Sequence, residues 1–97
     1  MALLSRPFET SDLRGTSYTF ERAGDDFPIH IHASEDDNHI TIVARGAVRC
    51  KGNAAIEGRE ISAGMVLSWP AGEPHGFVAL SDGAKLVNIR TKMARGA

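Results

Sequence analysis

Hydrophobic positions along this chain fall in short alternating or β-branched runs, and no window sustains a helical interval. Residues 16–21 alternate β-formers around Tyr18 and Phe20 and predict a first strand. Ala23-Gly24-Asp25-Asp26 is a turn by composition. Phe27-Pro28 leads into a strand over 29–33, because proline can open a strand but not occupy the middle of a sheet. A polar connection, 34–38, precedes the β-branched run 39–44, which Arg45-Gly46 ends. Further strands are expected at 47–51 and at 54–61, the latter split at Glu57-Gly58, with Gly52-Asn53 as the turn between them. Gly64 marks the next turn, 65–69 a strand and 70–74 a turn held by Pro70 and Pro74. The last strands, 75–80 and 85–91, flank Ser81-Asp82-Gly83. About eight short strands at such spacing predict an all-β sandwich or barrel with little or no helix. Residues 1–15 read as an N-terminal arm whose Leu3, Leu4 and Phe8 are free to pack on the body or on a second subunit. Residues 16–91 form the barrel, and 92–97 a frayed tail.

Composition narrows the function classes. A chain of 97 residues supports one core, and a domain of that size gains from a bound metal or a partner subunit. The formal net charge of −1, with mixed signs, gives no electrostatic footprint for nucleic acid or an acidic membrane. The single cysteine, Cys50, excludes an internal disulfide and suits a reducing compartment. Arg6 and Pro7 interrupt the N-terminus too early for a signal peptide, and no apolar run approaches membrane-spanning length. The expectation is a soluble, cytoplasmic protein.

The candidate chemistry lies in the histidines. His30 and His32 stand one residue apart on an expected strand and so share a face. His39 heads the following strand and His75 opens a later one, so all four histidines of the chain fall where they can converge. Neutral imidazoles meeting at one point make a transition-metal site. Cys50, on the strand beyond Gly46, reads as a small core residue instead. The acids Glu35-Asp36-Asp37 read as a solvated loop.

These residues resemble the two sequence motifs of the cupin family of small double-stranded β-helix, or jelly-roll, barrels. Gly24, His30-Ile31-His32 and Gly46 match the first motif, and Gly64, Pro70-Ala71-Gly72 and His75 match the second. The resemblance implies a cupin barrel over roughly 16–91, a homodimer, and one divalent transition metal ion per chain held by His30, His32 and His75. His39 stands where the family usually places its glutamate. The loop before it is longer than the family's, and Ala79 replaces the second motif's asparagine. Asp36 and Asp37, at the family's distance from His32, compete with His39 as fourth ligand, although His39 shares a strand face with Thr41 and Val43. Imidazoles do not choose among Zn, Ni, Fe, Co and Cu.

An all-histidine set is neutral and leaves the ion its full charge, which favours a small anionic ligand or substrate such as a sugar acid or hydroxy acid. Thr41, Trp69, Phe77 and Ala79 are candidate pocket residues, and Glu73 a candidate general base. Arg45, Arg49, Arg59 and Arg90 are candidate carboxylate anchors, set against their reading as strand charges that deter edge pairing. Two function classes stay open: a dioxygenase or isomerase/lyase, and a non-catalytic metal- or metabolite-binding module that senses or stores.

Overall fold

The computed structural model describes residues 3–9, 13–30, 39–69 and 74–91. Nine strands run through them: β1 (Leu3–Glu9), β2 (Leu13–Phe20), β3 (Asp26–His30), β4 (His39–Arg45), β5 (Ala47–Lys51), β6 (Glu60–Ser62), β7 (Val66–Trp69), β8 (His75–Ala79) and β9 (Lys85–Thr91). They form a five-stranded sheet in the order β1-β2-β9-β4-β7 and a four-stranded sheet in the order β3-β8-β5-β6, with every pairing antiparallel. No helix occurs among the described residues, so none there is long and apolar enough to cross a membrane.

Alternation places the core. Thr41, Val43, Leu86 and Asn88 turn inward from the larger sheet, and Val48, Cys50, Ile61, Phe77 and Ala79 from the smaller one; all are buried. An aromatic series crosses between them: Tyr18 meets Phe27 edge-on at 4.6 Å, and Phe27 meets Phe77 at 6.0 Å. Cys50 lies in this core, and burial pushes its thiol above the usual range, opposed by Arg59 and assisted by Glu57. A neutral, enclosed thiol is a packing residue, as its strand position suggested.

Three expectations about elements need correcting. The segment expected as an arm forms β1, paired with β2 from Leu3↔Phe20 to Glu9↔Arg14. As an edge strand it tolerates Pro7, and the Phe8 ring fills the space over Gly15, reaching within 2.0 Å of where a Cβ would stand. The expected return strand over 54–61 contracts to β6. Asn53 gathers 53–58 into turns instead, its Oδ1 accepting from the Ala55 amide at 3.1 Å and its carbonyl from the Ile56 amide at 3.1 Å.

The third correction concerns Pro28, which sits inside β3. That strand is a sheet edge, and its register with β8 shifts between Phe27↔Phe77 and His30↔His75. Pro28 and Ile29 thus oppose the single residue Gly76, which makes a bulge that wants no amide donor from the proline.

Candidate functional site

The bulge in β3 sets up the site. Strict alternation from the buried Phe27 would bring position 29 opposite His75. The extra residue brings position 30 there instead, and Ile29 is left outside, 52% exposed. His30 and His75 are therefore register partners across β3 and β8. Asn53 steadies the entry to β8, its Nδ2 donating to the Pro74 carbonyl at 3.1 Å.

The larger sheet contributes a second row at the same end of the barrel. His39 is the register partner of Trp69 on β7 and of Arg90 on β9, and Arg90 is in turn the partner of Arg14 on β2. Arg14, Arg90, His39 and Trp69 thus stand side by side across four strands. The two sheets meet through Trp69 and His75, whose rings stack at 4.4 Å with an interplanar angle of 13°. Trp69 is 4% exposed and His75 fully enclosed, so the imidazole lies flat against the indole inside the barrel. Phe77, also fully enclosed, closes the inner side with its ring 6.2 Å from that of His75.

Behind the stack runs a buried polar chain. The Trp69 indole Nε1–H donates to Thr41 Oγ1 at 2.9 Å, and that hydroxyl donates to Asn88 Oδ1 at 2.7 Å. The Thr41 proton is therefore committed to Asn88. Its placement next to His39 in strand phase agrees with the sequence, whereas Asn88 carried no signal in the linear pattern. Ala79 lies deeper in the core, opposite Val48, with its amide bonded to the Asp25 carbonyl at 2.9 Å.

Of the arginines raised from sequence, Arg90 alone falls in the histidine row. Arg45 pairs in register with Lys85 at the far end of β4, and Arg49 bonds Glu60 at 3.0 Å on the outer surface. Arg59 precedes β6 and is exposed. Arg14 joins the row from the segment read as an arm boundary. Its ion pair with Glu9, 3.4 Å long, is exposed on both sides and weak.

His32, Glu35, Asp36, Asp37 and Glu73 lie outside the described residues, and His30 and His39 are placed here by backbone register. Among the described residues no three His, Cys, Asp or Glu groups gather as a ligand set. The donor chemistry nonetheless fits a transition metal: an enclosed imidazole, a second histidine opposite it in register and a third at the matching end of the facing sheet.

No protein-family model matches the chain, and no curated protein matches it. Solved structures do resemble it. KdgF from Halomonas sp. superposes with a TM-score of 0.79 at 24% identity, over 96% of this chain and 81% of that one. An RmlC-like cupin protein from Desulfovibrio desulfuricans gives 0.79 at 26% identity, over 92% and 81%. The Cupin_2 domain of an XRE family transcriptional regulator from Enterobacter cloacae gives 0.79 at 13% identity, over 97% and 100%.

Proposed function

This chain belongs to the cupin superfamily, and we propose that it is a metal-dependent enzyme acting on a small anionic metabolite such as a sugar acid or hydroxy acid. The observation that carries this reading is the meeting, at one end of the barrel, of the His30↔His75 pair with the row that sets His39 between Arg90 and Trp69. In it, His30, His32, His39 and His75 hold one divalent transition metal ion.

When bound, the ion would supply polarisation of a substrate oxygen or activation of dioxygen, giving an isomerase/lyase or a dioxygenase. The protein's own part is binding and exclusion. Arg90, in the histidine row, offers a planar fork suited to a carboxylate. The neutral histidines leave the cationic character of the site undiminished, and both features select an anion. The stacked Trp69 and His75 rings, with Phe77 behind them, form a dry wall that keeps water from the inner side of the site.

The deciding experiment is elemental mass spectrometry of tag-free protein purified without chelator. Near-stoichiometric iron, nickel or zinc supports the reading, and no metal even after reconstitution would sink it. A companion test is Arg90→Gln, which should weaken binding of an anionic chelating ligand about tenfold, the loss of roughly 1.4 kcal/mol, while metal content stays unchanged. Unchanged affinity would remove Arg90 from the site.

One comparison favours a second reading, a sensor module, since a domain of the same shape belongs to a transcriptional regulator. Turnover of a hydroxy- or sugar-acid panel by the metal-loaded protein separates the two, for a sensor binds without turnover.

As partner we propose a second copy of this chain on the outer face of the larger sheet. There Ile40, Ile42, Val66, Val87 and Ile89 are neighbours in register, and Val66 is 60% exposed. Sedimentation should show a dimer that Ile40→Lys with Val66→Lys converts to monomer; a wild-type monomer would refute the assignment.

A further inference from the structure

We infer that Thr41 and Asn88 are positioning residues for the His75 imidazole, acting on it through the Trp69 indole. The inference rests on the metal-site reading above and assigns a role to residues which that reading leaves aside.

The four side chains come from four strands. Thr41 on β4 is the register partner of Asn88 on β9, Trp69 on β7 is the partner of His39, and His75 opens β8 in the other sheet. Their hydrogen bonds run in one sense. An indole nitrogen only donates, so Thr41 Oγ1 must accept from it, and the hydroxyl's one proton then goes to Asn88 Oδ1. The threonine hydroxyl is thereby used in both directions, and the indole is tethered by its one polar atom at 2.9 Å.

The tether matters because of what the indole covers. A ring held 4.4 Å from the imidazole and tilted from it by 13° leaves His75 no room to swing toward the larger sheet. On the inner side stands the Phe77 ring. All four residues are buried, Asn88 at 7% and Trp69 at 4% exposure, Thr41 and His75 at zero, so water is poorly placed to replace a lost bond. A metal ligand needs its ring plane fixed, and groups behind the ligands commonly do this by hydrogen bonding directly to them. Here an aromatic face contributes to that fixing, through hydrogen bonds that lie one residue further back.

Three variants separate positioning from packing. Thr41→Val keeps the shape and removes the hydroxyl, Thr41→Ser keeps the hydroxyl, and Trp69→Phe keeps an aromatic face but has no N–H. The first readout is affinity for Ni2+ alone, measured by competition with a chelator. Thr41→Val and Trp69→Phe should bind about 10- to 100-fold more weakly, and Thr41→Ser like the wild type. The second readout is the set of NMR cross-peaks between the Trp69 and His75 rings in metal-free protein, which should weaken in Thr41→Val and persist in Thr41→Ser. Wild-type Ni2+ affinity in Thr41→Val with cross-peaks intact overturns the inference. If Thr41→Val does not fold, Trp69→Phe decides, and wild-type affinity there overturns it equally. If the wild type itself binds no metal, the metal reading fails, and the cross-peak contrast still decides whether Thr41 sets the stack.

Discussion

His75→Ala is expected to abolish stoichiometric metal binding and to lower the melting temperature of the metal-free protein as well. The two losses have separate causes, both at one fully enclosed residue. Removing the imidazole deletes the proposed ligand at the position that pairs in register with His30. It also leaves the Trp69 indole without the ring that lies against it and opens a void between the sheets. Truncating an enclosed ring of this size costs about 3 kcal/mol, and for a domain this small each kcal/mol shifts the melting point by roughly 4–8 °C. Metal saturation adds a further term to the wild type, about 2.7 kcal/mol when free metal stands at a hundred times Kd, so the gap between wild type and variant should widen when metal is added. His75→Phe separates the effects, because a phenyl ring can occupy the stack without offering a nitrogen. It should recover most of the metal-free stability and none of the metal binding. Full metal occupancy in either variant, by elemental mass spectrometry, would refute the proposed centre.

The elements that were legible in the sequence are those where local chemistry and tertiary context agree. β4, which Gly46 follows, and β9, which Gly83 precedes, are alternating runs rich in β-branched residues, and their inward positions, such as Thr41 and Val43, follow from period two alone. β1 was not legible because its evidence lies in another strand: Phe8 looks isolated until it is seen covering Gly15. The contraction of β6 has the same origin, since Asn53 bonds locally and takes residues that composition assigned to a strand.

For the site, the motif spacing marked which histidines to consider and put Thr41 in phase with His39. It could not mark the Trp69–His75 stack, which joins residues on different sheets. Nor could it lift Arg90 above Arg45, Arg49 and Arg59. All four are strand arginines in one dimension, and the register of β4 with β9 alone sets one of them beside His39. Asn88 escaped notice for a like reason, as a polar residue in an apolar run whose partner is 47 positions away.

Gly76→Ala should separate β3 from β8 at the site while leaving the rest of the smaller sheet in place. Gly76 is the single residue facing the two-residue bulge of Pro28 and Ile29. A Cβ there would stand 2.8 Å from the Phe27 carbonyl oxygen, 2.9 Å from the Ile29 nitrogen and 3.0 Å from its Cα. All three are backbone atoms, so no side-chain rotation relieves the contact and the strand itself must move. Overpacking of this kind typically costs about 1–3 kcal/mol. β5 flanks β8 on its other side and pairs with it at four positions from Val48 to Lys51, so β8 is held while the edge strand gives way. The Lys51–Asp26 ion pair, which ties the β3 end to β5, is partly exposed and stands at the end of the strand away from the bulge, so it does not hold position 30 in register. The effect on function follows from phase. The bulge is what sets position 30 opposite His75, and a strand that shifts to relieve the clash loses that register first. Amide exchange should therefore quicken in β3 and stay slow in β5 and β8, and metal affinity should fall with it. Gly76→Val should exaggerate both. Wild-type exchange protection in β3 of Gly76→Ala would mean that the close approach is not what holds position 30 to its register partner, and the link between the bulge and the proposed metal centre would fall with it.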